Sequence, residues 1–94
     1  MATPHVPPPY TILTLAAARR QLAKLQKSRT PNTKHIIAAI RSLADNPRPS
    51  GCKKLVNRPE RRLRVGDYRI LYLVDDVRRT VSISAIAHRR EVYS

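Results

Sequence analysis

Two hydrophobic periods run through this chain, and the points where one gives way to the other mark its elements. Leu15, Ala18, Leu22 and Leu25 recur at three- and four-residue steps, the spacing of one helical face. Arg19, Arg20, Lys24 and Lys27 take the opposite side, and Thr14 stands where it can cap the helix. Ile36, Ile37, Ile40 and Leu43 form the buried stripe of a second helix. Thr30-Pro31 opens it, and Asn46-Pro47 closes it, because the residue before proline avoids the helical region. The link between the helices is short, so they pack as an antiparallel hairpin.

Elsewhere the period falls to two. Tyr10-Thr11-Ile12-Leu13 is a short β-prone run, and Thr80 to Ala87 alternates Val81, Ile83 and Ala85 against Ser82, Ser84 and Ile86. Between residues 61 and 72, two β-rich runs flank Gly66-Asp67, a two-residue step that favours a primed hairpin turn. That turn sets Val65 against Tyr68, Arg64 against Arg69, Leu63 against Ile70 and Arg62 against Leu71. Arg62, Arg64 and Arg69 then project from one face. Residues 47–59, with three prolines and Gly51, read as a loop with a brief strand around Leu55. The order β-α-α-β-β-β predicts an α+β fold, a four-stranded antiparallel twisted sheet with the helical hairpin on one face.

Length and charge narrow the possibilities. The 94 residues suffice for one domain, read as 10–94 behind a Pro-rich, disordered arm over 1–9 that has no apolar signal-peptide core. Lys and Arg number 19 against 6 Asp and Glu, a net +13, and no acid precedes Asp45 whereas seven basic residues do. Such a field points to nucleic acid, an anionic membrane surface or an acidic protein partner. No apolar run approaches a membrane span, so the membrane is the weakest of these. A lone Cys52 excludes an internal disulfide and a Cys-based zinc site, and fits a reducing cytoplasm.

Candidate chemistry is sparse. Gly occurs only at 51 and 66, so there is no Gly-rich phosphate loop, and no triad or acidic dyad has suggestive spacing. His5 and His35 read as surface residues, which leaves His88 beside Arg89 and Arg90, five residues before Tyr93. Two unit charges about 5 Å apart repel by roughly 3 kcal/mol at an effective dielectric of 20, so Arg64 facing Arg69 suits a bound anion. A metal-free basic site can cleave RNA through attack of the 2′-hydroxyl on the adjacent phosphate. Arginines stabilise the added charge, a His or Tyr moves protons, and Tyr can stack on a base. Binding without cleavage fits the same composition. Plainer readings stand beside these: Arg62 and Arg64 as solvated strand residues, Arg69 in an ion pair with Asp67 or Asp75, Lys53 and Lys54 as loop charges.

At these residues the chain resembles RelE toxins of the RelE/ParE superfamily of type II toxin–antitoxin systems. The likeness runs from Tyr10 to Tyr93. It is carried by Asn46-Pro47-Arg48-Pro49, Gly51-Cys52-Lys53-Lys54-Leu55, the hairpin Arg62 to Tyr72, and Ile86-Ala87-His88-Arg89-Arg90-Glu91-Val92-Tyr93. The resemblance implies a cytoplasmic, ribosome-dependent endoribonuclease, without metal or cofactor, that cuts mRNA in the decoding site and leaves a 2′,3′-cyclic phosphate. It implies that Arg64 and Arg69 hold the scissile phosphate with Arg62, that Arg89 helps the leaving group, and that Tyr93 stacks on the base. Lys53, Lys54, Arg61 and Arg90 would contact RNA and the 16S rRNA of the A site. An acidic antitoxin would wrap the acid-free helices and cover the arginine face. The best-studied pattern has Lys where this chain has Arg62 and Arg64. Arg stays protonated, so His88 becomes the candidate for proton transfer. A ParE-like gyrase inhibitor and a non-catalytic basic RNA-binding module are the alternatives.

Overall fold

The computed structural model describes residues 8–28 and 30–92. The expected arm over 1–9 lies outside the described residues except for Pro8 and Pro9. In chain order the elements are β1 (Thr11–Thr14), α1 (Ala16–Ser28), α2 (Asn32–Ser42), β2 (Lys53–Lys54), β3 (Arg61–Val65), β4 (Tyr68–Asp75), β5 (Thr80–His88) and a single turn α3 (Arg89–Val92). The sheet has five strands in the order β1-β5-β4-β3-β2. The brief strand expected near Leu55 is β2, two residues earlier, and it supplies the fifth strand.

One expectation about the sheet needs correcting. It is mixed rather than wholly antiparallel, because β1 runs parallel to β5, with Ile12 opposite Val81. The other three pairings are antiparallel. Thr14 therefore belongs to a strand and does not cap α1. The Leu15 N–H continues the ladder onto the Ile83 carbonyl at 2.9 Å, and the helix starts one residue later.

Both helices lie on one face and build the core there. Ala18 of α1, and Ile36 and Ile40 of α2 with Leu43 just beyond, meet Ile70, Tyr72, Val81, Ile83 and Ile86 of the sheet. Leu22 and Leu25 pack at the margin as the spacing predicts, whereas Leu15 is 43% exposed and in α2 it is Ala39 rather than Ile37 that packs against the core. Thr33 is buried at the helix–helix corner, where its hydroxyl donates to the Leu25 carbonyl at 3.1 Å and meets Thr30 Oγ1 at 3.0 Å. That hydroxyl pins the end of α1 to the start of α2. Among the described residues, no helix is long and apolar enough to cross a membrane.

Two polar contacts hold the irregular segments. The fully buried Tyr72 donates its hydroxyl to the Pro47 carbonyl at 2.9 Å, tying the loop after α2 to the centre of the sheet. Burial pushes its phenol well above the usual range. Near the β4–β5 turn, Asp76 accepts both Arg48 Nη atoms at 3.1 and 2.8 Å and the Tyr10 hydroxyl at 2.5 Å. The Arg79 guanidinium covers the Tyr10 ring at 4.3 Å. Arg48 foremost, then Tyr10, holds the Asp76 carboxyl at about 2, below its usual 3.8.

Each contact predicts a measurable change. Tyr72→Phe strands a buried carbonyl and should lower unfolding free energy by about 1–2 kcal/mol in urea titration. Asp76 has a folded pKa below its unfolded one. Its stabilisation is thus complete above about pH 4 and is lost as pH falls toward about 2. Asp76→Asn should destabilise the protein at neutral pH and flatten the fall in stability over that interval, read by thermal unfolding at stepped pH.

Candidate functional site

The Gly66-Asp67 turn forms as the sequence predicts, with Gly66 at φ +60°. Val65 pairs with Tyr68, Arg64 with Arg69, Leu63 with Ile70 and Arg62 with Leu71. Leu63, Val65, Tyr68 and Ile70 belong to the helix-side core, so Arg62, Arg64 and Arg69 share the face that no helix covers. Arg64 is exposed, Arg62 half-buried, and Arg69, on the central strand between Arg64 and Ala87, only 5% exposed. Leu71 is buried beside them on the same face. The arrangement presents guanidinium groups over an apolar floor, where a phosphate would meet fixed donors and little competing water.

His88 does not join them. Ile70 pairs with Ile86 and Leu71 with Ala85, but the next residue, Tyr72, pairs with Ile83. Ser84 is thus the extra residue of a β-bulge, and the alternation expected over Thr80 to Ala87 reverses there. Val81 and Ile83 face the core before the bulge, and Ile86 faces it afterwards. Ala85 and Ala87 turn to the open face, and His88 turns to the helix side. There it pairs with Tyr68 across the strands, edge-on, with ring centroids 5.3 Å apart. Gln21 Oε1 accepts the Ile86 N–H at 2.7 Å, and the Ser84 hydroxyl donates to the Leu71 carbonyl at 3.1 Å. Two side chains thereby fill hydrogen bonds that the bulge removes from the ladder.

His88 lines a cleft of about 490 Å³ against α1, with Gln21, Lys24, Leu25, Ser28 and Tyr68. Its Nδ1 accepts the Arg90 N–H at 3.3 Å, which leaves the proton of the neutral ring on Nε2. Arg89 begins α3, and its N–H donates to the Asp67 carbonyl at 2.7 Å, docking the chain end on the hairpin turn. Its exposed side chain stands 3.8 Å from Asp67 Oδ1, a loose pair worth little. Arg64, Arg69, His88 and Arg89 therefore gather at the turn end of the sheet, on two faces. Arg62 sits farther along, and Lys53, Lys54 and Arg61 lie on the outer ribbon of β2 and β3. Arg90 is exposed on α3, and Tyr93 lies outside the described residues. Among the described residues, no group of His, Cys, Asp and Glu could hold a metal ion.

Gln21 and Ser84 went unmarked in the sequence, although both decide which side chains reach which face. The one signal was a step of three between Ile83 and Ile86 in an otherwise two-residue pattern.

An open-faced sheet backed by two helices, with basic residues at its turn end, defines a class of small basic α+β proteins. The comparisons narrow that class. The family model described as the ParE toxin of type II toxin–antitoxin systems matches residues 12–93. A chain of the toxin–antitoxin complex RelBE2 from Mycobacterium tuberculosis is 32% identical, covering 86% of this chain and 99% of that one, with TM-score 0.62. The chain belongs to the RelE/ParE superfamily of type II toxin–antitoxin toxins. Two further structures share the fold. The archaeal RelE–RelB complex from Pyrococcus horikoshii is 22% identical, with TM-score 0.71 over 85% of this chain and 94% of that one. A mutant of Escherichia coli toxin RelE in the free state is 22% identical, with TM-score 0.66 over 90% of each chain. No curated protein matches the sequence.

The turn itself yields a test. A Cβ on Gly66 would lie 3.2 Å from Asn32 Oδ1 at the start of α2, in a left-handed backbone. Gly66→Ala should therefore cost about 1–2 kcal/mol in chemical denaturation. An unchanged midpoint would mean that the turn does not press on α2.

Proposed function

We propose that this toxin is a ribosome-dependent mRNA endoribonuclease whose phosphate site is the open face formed by Arg62, Arg64 and Arg69. The observation that carries the reading is the pairing of Arg64 with Arg69 beside a buried Leu71, on a face left bare by both helices. Like charges opposed across a sheet repel, and a phosphate between them turns that repulsion into attraction on both sides. The 2′-hydroxyl attacks the adjacent phosphate, the arginines stabilise the charge of the phosphorane, and a 2′,3′-cyclic phosphate is released. Arg89, at the lip of the turn, meets the leaving group, and Tyr93 stacks on the base. The ribosomal A site supplies the substrate, so the activity belongs to the cytoplasm. An acidic antitoxin opposes it, a partner supported by the RelBE2 toxin–antitoxin complex and by the net charge of +13.

Its facing gives His88 a different part. With Tyr68 beside it on the helix side, it acts from the rim, holding the end of β5. Induced expression should arrest growth and produce ribosome-dependent cuts in mRNA, mapped by primer extension. Arg64→Ala, at an exposed position, should reduce cutting by about 10²–10³-fold, the range for one lost charge-stabilising donor. His88→Ala should lose less than about tenfold. A loss of roughly 10² or more, typical of a missing general acid or base, would return the proton to His88. Intact transcripts during arrest would sink the nuclease reading altogether.

A second reading is favoured by the family match to ParE toxins and by the turn of His88 away from the arginine face. It makes the protein a gyrase inhibitor. Inhibition of purified gyrase, with translation untouched, would decide for it.

A further inference from the structure

The cleft on the helix side holds chemistry that the arginine face does not use. Its volume of about 490 Å³ falls within the range of small-molecule sites. Leu25 and Ile86 give it an apolar lining, and the Tyr68 and His88 rings, set edge-on, add an aromatic one. No acidic residue lines the cleft, whereas the exposed Lys24 brings it a positive charge.

The polar groups here divide by what they have left to offer. Gln21 Oε1 is occupied by the Ile86 N–H at 2.7 Å, and His88 Nδ1 by the Arg90 N–H at 3.3 Å. The Gln21 amide N–H, the His88 Nε2–H and the Lys24 ammonium have no partner among the described residues. All three are donors. One helical turn beyond Lys24 the balance reverses. The Ser28 hydroxyl gives its proton to the Leu25 carbonyl at 3.0 Å and keeps only its lone pairs, beside the negative end of the α1 dipole. The cleft thus combines a cation and free donors, an acceptor one turn farther along, and an aromatic lining.

We infer that the cleft binds a nucleoside monophosphate whose base carries an exocyclic amino group, as adenine and cytosine do, either free or as one unit of an RNA strand. The phosphate takes the donors of Gln21, Lys24 and His88, because hydrogen bonds to an ionised acceptor are the strong ones. The base lies against the Tyr68 ring and the apolar lining, and aromatic side chains are the usual platforms for nucleobases. Its amino group donates to Ser28 Oγ. A simple carboxylate would satisfy the donors and leave the rings and Ser28 without a partner. The cleft and the face of Arg62, Arg64 and Arg69 lie on opposite sides of the sheet, so this inference and the nuclease reading stand or fall separately.

The test is an NMR titration of the isotope-labelled full chain with adenosine, cytidine and uridine monophosphates, adenosine itself and inorganic phosphate. The adenosine and cytidine monophosphates should shift the amides of Gln21, Lys24, Ser28 and Tyr68 and saturate between about 10 µM and 1 mM, as expected of ligands of this size. Uridine monophosphate lacks the amino group, and it, adenosine and phosphate should each bind at least about fivefold more weakly. Lys24→Gln should weaken adenosine monophosphate about tenfold, and Ser28→Ala should erase the preference for cytidine over uridine monophosphate. Lys27→Gln, on the same helix but outside the cleft, should change affinity by less than about twofold. A 2′-O-methylated trinucleotide that shifts the same amides and binds more tightly would support the site with RNA as the source; no gain would support the free nucleotide. Shifts confined to Arg64, Arg69 and Ala87 would place the nucleotide on the arginine face and overturn the site. Phosphate binding as tightly as the nucleotides, or equal weakening by Lys24→Gln and Lys27→Gln, would overturn it as well.

Discussion

Strand β5 carries one residue more than the stretch of β4 it faces, and Ser84 absorbs the excess. Almost everything at the turn end of the sheet depends on that bulge. It returns Ile86 to the core, sets Ala87 rather than a large side chain beside Arg69, and commits His88 to the helix side. A bulge disrupts the ladder locally, and a buried amide left unpaired would cost about 1–3 kcal/mol. Gln21 answers this by accepting the Ile86 N–H from α1. One side-chain amide on a helix thereby helps to decide which residues share a face with the arginines.

The hairpin was legible in the sequence because its determinants are local. Gly66-Asp67 selects the turn, the turn sets the register, and a period of two then assigns Arg62, Arg64 and Arg69 to one face. Most of each helical stripe was legible for the same reason, although Leu15 and Ile37 stay outside the core. The parallel pairing of β1 with β5 was not, since strands nearly seventy residues apart (Thr11 and Thr80) carry no mutual signal in a four-residue run. The bulge was half legible. Large apolar residues at 81, 83 and 86 already broke the alternation, but Ala85 and Ala87 are small enough to suit either face. Small side chains conceal which way a strand is turned.

Charge is distributed so that repulsion and attraction occupy opposite ends of the sheet. Away from the turn, Asp76 gathers Arg48 and Tyr10, with Arg79 stacked over the ring, and cations there are matched. That cluster joins the start of β1, the loop after α2 and the β4–β5 turn, so the least regular parts of the chain are fastened where charge balances. Toward the hairpin and along the β2–β3 ribbon, cation faces cation. The Arg58–Glu60 pair at 2.7 Å and the loose Arg89–Asp67 pair at 3.8 Å offset part of that positive charge. A surface built this way has most to gain from a polyanion at the second end.

An all-arginine face also constrains chemistry. Arginine remains protonated throughout the physiological range, so it can neutralise a developing charge but cannot accept the first proton. With His88 turned away by the bulge, its imidazole does not share the face of Arg62, Arg64 and Arg69. On the nuclease reading, the proton can then pass to groups outside that arginine set, among them the tail beyond α3, which includes Tyr93, and the ribosome itself. The second gives ribosome dependence a chemical meaning. The toxin would supply fixed positive charge and a strand geometry, while rRNA supplies the orientation of the 2′-hydroxyl and a route for its proton. A free transcript would then find a phosphate site without a base, and would bind without being cut.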